Sequence, residues 1–116
     1  MKTIVDSSIW IAHFKKSDKH LISLLEADDV LVHAFVLQEL YLGKPKGKDF
    51  DFERLAKLPQ LPVLTTEEFF LFCDEYKVSA KGIGCVDTHL LASAILHKVE
   101  IYTHDKKLQR LYRSLV

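Results

Sequence analysis

Three carboxylates of this sequence stand by themselves in apolar surroundings, and a fourth follows a strand-like run. Asp6 lies in TIVDSSIWI and, histidine aside, is the only charged residue between Lys2 and Lys15. Glu39 is similarly alone between Val30 and Gly43, and Asp87 between Gly82 and His97. Asp105 comes directly after IYT and His104. An acid on an apolar face costs on the order of several kcal/mol unless something pairs with it. Four acids brought to one crevice repel one another. A hard divalent cation, Mg²⁺ or Mn²⁺, is the simplest compensation, because it takes carboxylate oxygens and keeps waters for a substrate phosphate.

Each acid also has a plainer reading. Asp6 and Asp105 can cap the helices that follow them. Asp87 can favour a helix dipole. Glu39 can pair with a buried Lys or Arg. What joins the four is the order of the elements that carry them.

Lys2–Val5 reads as a strand, followed by a helix over Ser8–Phe14 capped by Ser7. Ser17 caps a second helix, Asp18–Ala27, with Leu21, Leu24 and Leu25 on one face. VLVH, residues 30–33, is a second strand. Phe35–Leu42 is a helix that stops at Gly43, and Phe50–Leu58 a short helix ending before Pro59. LPVL, residues 61–64, is a third strand, placed at an edge by Pro62. Thr65 and Glu68 form a capping box for a helix to Tyr76, with Phe69, Phe72, Cys73 and Tyr76 as its stripe. A long helix spans Val86–Lys98, a fourth strand Glu100–Thr103, and a last helix Lys106–Tyr112.

Strands alternating with helices predict an α/β fold: a three-layer α/β/α arrangement around a parallel sheet of four to five strands. Ligands of such sheets bind beyond the carboxyl ends of the strands. Asp6 and Asp105 each follow a strand. Glu39 lies in the helix after the second strand. Asp87 opens the helix before the fourth, and Leu90, Leu91, Ala94 and Ile95 continue its face. All four acids are therefore expected at one end of the sheet.

The 116 residues suit one domain over 1–116, able to bury about 65% of the surface its unfolded chain exposes. Sixteen basic and 16 acidic residues cancel, which argues against holding nucleic acid by bulk charge. Neither a secretory signal nor a membrane span is expected, and a cytoplasmic location is. Cys73 and Cys85 lack metal-site spacing and read as small buried hydrophobes in a reducing compartment.

TIVDSSIWI, VLVHAFVLQELYLG, KGIGCVDTHLLASAIL and IYTHDKKL resemble the four motif blocks of the PIN-domain ribonucleases, specifically the VapC-type toxins of toxin–antitoxin pairs. The likeness runs from residue 2 to about residue 111, in the family's order and spacing. It implies a catalytic, metal-holding set of Asp6, Glu39, Asp87 and Asp105, with Ser7 or Ser8 as the hydroxyl residue that commonly follows the first acid. It also implies Mg²⁺-dependent hydrolysis of RNA, a homodimer, and a VapB-type antitoxin that blocks the site. Cys85 departs from the pattern, standing where many relatives carry a bulky aromatic. The family's fifth strand is expected to be short or missing, reduced to SLV at residues 114–116.

Other readings are set aside on chemistry. GKPKGKD, with Lys44, Lys46 and Lys48, lacks the spacing of a phosphate loop and reads as a solvated turn. Gly82 and Gly84 suit either a tight turn or backbone approach to a phosphate. His33 and His104 flank strand ends and are not assigned as bases. Trp10, Phe14 and Phe69–Phe72 are mainly core, with Phe14 or Phe70 left over for a partner. A catalytically silent interaction module of the same fold is the main alternative. A phosphatase using Asp6 as nucleophile is disfavoured, because the second aspartate such enzymes carry is Ser8 here.

Overall fold

β1 (Thr3–Val5) is buried along its whole length and forms the middle of the sheet. It pairs in parallel with β2 (Val30–Leu31) on one side and β3 (Glu100–Tyr102) on the other. The computed structural model describes residues 1–45 and 51–116. Among these, the sheet has three strands in the order β2-β1-β3. Thr3 stands opposite Val30 and Glu100, and Ile4 opposite Leu31 and Ile101.

The helices are α1 (Ser7–Lys15), α2 (Lys19–Glu26), α3 (Ala34–Gly43), α4 (Phe52–Ala56), α5 (Thr66–Glu75), α6 (Cys85–His97) and α7 (Lys106–Leu115). α1 packs on α3, and α6 packs on β3, α5 and α7, giving the expected three-layer α/β/α arrangement. Ile4, Val5, Ile9, Leu21, Val36, Leu40, Leu90, Leu91 and Leu108 are its fully buried centre. α6 is buried from Thr88 through Ala94 without interruption, not along one stripe. Ala92, Ser93 and Ala94 suit that position, because small side chains let neighbouring elements approach from several sides.

Several expectations need correction. The third strand predicted over residues 61–64 is absent from the sheet; a single parallel bridge joins Val32 to Gln60 instead. Val32 donates to the Pro59 carbonyl at 2.9 Å. Pro59 and Pro62 have no N–H to extend that pairing into a ladder. SLV forms no fifth strand, since Ser114 and Leu115 continue α7. α1 and α2 are capped by Asp6 and Asp18, not Ser7 and Ser17. Cys85 is exposed and Cys73 only partly buried, and both are free thiols. Phe14 is buried whereas Phe70 is 60% exposed. The capping box of Thr65 and Glu68 is present. Lys46 and Lys48 lie outside the described residues.

The order β2-β1-β3 has a direct consequence for function. The chain leaves β1 toward β2 and later crosses back to the far side of β1. Parallel α/β sheets bind ligands where such a reversal opens a crevice at the strands' carboxyl ends. Here that is the end of β1 and β3, where Asp6 and Asp105 follow.

Candidate metal centre

Asp6 is the first residue beyond β1, and its N–H still donates to the Tyr102 carbonyl of β3 at 2.9 Å. Its side chain is 5% exposed. Oδ1 accepts the Ser7 N–H at 2.8 Å, which makes Asp6 the N-cap of α1. Oδ2 accepts two hydroxyls, Ser8 Oγ at 3.0 Å and Thr103 Oγ1 at 2.7 Å. Capping and membership of an acid cluster therefore coexist in one side chain.

Asp105 caps α7, its Oδ1 accepting the Leu108 N–H at 3.0 Å. The backbone around it is tied to Asp6 by the same two hydroxyls. Thr103 Oγ1 accepts the Asp105 N–H at 3.0 Å, and Ser8 Oγ accepts the His104 N–H at 3.2 Å. Each hydroxyl accepts from the β3–α7 loop and donates to Asp6 Oδ2. This brace joins the ends of two adjacent strands.

Glu39 projects from the middle of α3 and is solvent-exposed. Partial removal from water raises its carboxyl above the usual range, the Asp6 charge adds to this, and a hydrogen bond with Ser7 opposes it. Asp87 lies in the first turn of α6, half-buried. Its carboxyl is pushed up to about 6, first by burial and then by the charges of Asp6, Asp105 and Glu39. The charges of Asp6, Glu39 and Asp105 are thus all felt at Asp87.

Among the described residues no base pairs with them. Among the described residues the ion pair that forms is the N-terminal ammonium with Asp29 at 3.2 Å, remote from these acids in the contacts it makes. Among the described residues Glu39 has no Lys or Arg partner, against its plain reading as half of a buried ion pair. Among the described residues no three His, Cys, Asp or Glu side chains form a ready-made metal cage. The donor chemistry nonetheless fits a hard cation: carboxylate oxygens only, with burial and then mutual repulsion keeping Asp87 prone to hold a proton.

The neighbours are structural. His33 is fully buried and caps α3, its Nδ1 accepting the Phe35 N–H at 3.0 Å. Burial, with His89 nearby, lowers it to about 4. Gly82 adopts φ 77°, the left-handed region that glycine enters freely, so it makes a turn. Lys107 Nζ donates to its carbonyl at 3.3 Å. Gly84 caps α6 without a side-chain bond. Lys44 is exposed, with its ammonium 5.7 Å from the Tyr41 ring centre.

Sequence reasoning missed Thr103. The available signal was a hydroxyl residue closing an otherwise apolar strand, two positions before an acid.

The family profile described as PIN domain matches residues 3–114. Two curated relatives, both named Ribonuclease VapC32, come from Mycobacterium tuberculosis strains CDC 1551 / Oshkosh and ATCC 25618 / H37Rv. Each is 36% identical over 107 residues, covering 91% of this chain and 86% of the relative. The chain belongs to the PIN-domain family, among its VapC-type members.

Proposed function

We propose that this chain is a single-domain, Mg²⁺-dependent endoribonuclease, the toxin of a type II VapBC toxin–antitoxin pair acting in the cytoplasm. The observation that carries the metal-dependent part is the elevation of Asp87 to about 6, first by burial and then by the charges of three other acids, with no Lys or Arg paired to any of them among the described residues. The ribonuclease part is supported by the relatives and their names.

Asp6, Glu39, Asp87 and Asp105 would hold the cation. A bound Mg²⁺ or Mn²⁺ supplies Lewis acidity and neutralises charge on the scissile phosphate. The protein's part is positioning. Ser8 and Thr103 lock the Asp6 carboxylate, α6 presents Asp87 from its first turn, and Asp105 sits at the N-cap of α7. Water attacks phosphorus in line and loses a proton to solvent, the P–O3′ bond breaks, and the departing 3′ oxygen takes up a proton from solvent. The products are a 5′-phosphate and a 3′-hydroxyl. No Ser–His or Cys–His nucleophile is required.

A homodimer and a VapB-type antitoxin complete the proposal. Phe70 and Leu71 of α5, and Tyr41 and Leu42 of α3, leave exposed apolar area for such contacts. Light scattering of the isolated chain tests the dimer.

The test of function is cleavage of RNA in Mg²⁺, with and without EDTA, for wild type, Asp6→Asn and Asp87→Asn. Activity unchanged by either substitution or by EDTA removes the mechanism. The competing reading, a silent interaction module, draws on one observation. The Asp6 oxygens already accept hydrogen bonds, and among the described residues no ready cage is formed. Absence of Mn²⁺ binding by calorimetry would favour it.

A further inference from the structure

α7 is the most strongly segregated helix of the molecule. Leu108, Leu111, Tyr112 and Leu115 turn inward, and the Tyr112 hydroxyl donates to the Val99 carbonyl at 2.9 Å. Spacing of 3.6 residues per turn puts Lys106, Arg110 and Arg113 in one stripe diametrically opposite that face. All three are exposed. The helix has four bases, counting Lys107, and no acid. α5 is the reverse, with Glu67, Glu68, Asp74 and Glu75 and no base. The overall balance of zero therefore hides a local cationic surface.

Two features set this stripe apart from an ordinary solvated face. Lys106 and Lys107 occupy the first turn, where the helix dipole disfavours cations and acids are the usual choice. Among the described residues no side-chain hydrogen bond or ion pair engages Lys106, Arg110 or Arg113. The stripe also begins at the acid centre, because α7 is capped by Asp105 itself. An acidic pocket repels the phosphates of its substrate, so a polyanion must be held by charge placed beside it.

We propose that Lys106, Arg110 and Arg113 form a track for the single-stranded RNA backbone as it leaves the acid centre, an assignment that rests on the ribonuclease reading. Lys106 to Arg113 spans about 10 Å along the helix at 1.5 Å per residue. That length serves two or three consecutive phosphates. Contacts of this kind neutralise phosphates without reading bases, so the track supplies affinity and direction, not sequence choice. Lys107 is separate: its bond to Gly82 assigns it to bracing the turn before α6.

The experiment measures binding of a fluorescent single-stranded RNA 12-mer by anisotropy in EDTA, across a salt series. The variants are Lys106→Gln/Arg110→Gln/Arg113→Gln and a control, Lys15→Gln/Lys16→Gln, at the far end of α1. The triple variant is expected to melt like wild type, bind roughly tenfold or more weakly, and show a salt slope reduced by about 2, at about 0.7 per lost phosphate contact. The control slope is expected to be unchanged. An unchanged triple-variant slope, an equal fall in the control, or no RNA binding by wild type overturns the track. Poly-glutamate binding as tight as RNA and lost in the triple variant assigns the stripe to an acidic protein, which also overturns it. Because EDTA silences cleavage, failure of the nuclease reading shows separately, as wild-type RNA left intact in Mg²⁺.

Discussion

The Thr103 hydroxyl donates to Asp6 Oδ2 at 2.7 Å across 97 residues of sequence, and it simultaneously accepts the Asp105 N–H at 3.0 Å. One oxygen thus sets the positions of two acids. A hydrogen bond to a charged group is worth about 1.5–3 kcal/mol, and Asp6 is too buried to replace it with bulk water. Thr103→Val is expected to lower RNA cleavage and Mn²⁺ affinity by about 10–100-fold, the range for groups that orient metal-holding residues. Thr103→Ser restores the hydroxyl and is expected to remain within a few-fold of wild type. Cleavage kinetics together with Mn²⁺ titration distinguish this from general loss of fold.

Asp87 trades stability for charge. Its folded-state carboxyl is raised to about 6, above its ordinary value of 3.8. The linked stability is therefore complete below about pH 4 and is lost as pH rises through about 6. Asp87→Asn is expected to raise stability above pH 7 in EDTA while abolishing cleavage. The full shift corresponds to about 3 kcal/mol, and solvent screening of this half-buried group reduces the expected gain to about 1 kcal/mol. Urea unfolding at pH 4 and pH 8 measures it, and no gain is expected at the lower pH.

His33 has the opposite sign. Burial lowers it to about 4 from 6.5, so its contribution is complete above pH 6.5 and is lost as pH falls toward 4. The shift corresponds to about 3 kcal/mol. His33→Asn keeps a side-chain acceptor for the start of α3 and removes the titration. It is expected to flatten the loss of stability between pH 6.5 and pH 4.5 in urea unfolding.

Cation binding must displace the proton that Asp87 holds. Mn²⁺ affinity is therefore expected to fall by up to about tenfold per pH unit below about pH 6. Between pH 7 and pH 8 it is expected to change little from this source. Calorimetry at pH 7.5 and pH 5.0 checks the trend. At the lower pH the heat should vary with the ionisation enthalpy of the buffer, because protons are released.

Most elements were legible from local signals. Apolar runs bounded by turn residues marked β1, α3 and α6, and the Thr65–Glu68 capping box marked α5 to within two residues. The failures share a cause. LPVL is as apolar as the strands that formed, yet Pro59 and Pro62 leave the segment beside β2 with one bridge. Ser7 and Ser17 looked like caps, but the aspartates beside them took the role. Two adjacent capping residues compete, and the geometry of the incoming strand or turn chooses between them.

The sequence by itself determined which acids are anomalous. A carboxylate isolated among apolar residues is costly wherever it ends up, so Asp6, Glu39 and Asp87 were visible without coordinates. Strand–helix alternation was enough to expect them at one sheet end. Only the tertiary structure decided how they are held. The β2-β1-β3 order sets β1 beside β3, and that adjacency brings Thr103 onto Asp6 and His104 onto Ser8. Hydrogen bonds between residues so distant in the chain depend on which strands pair, and pairing is settled by burial of the whole sheet, not by any local pattern.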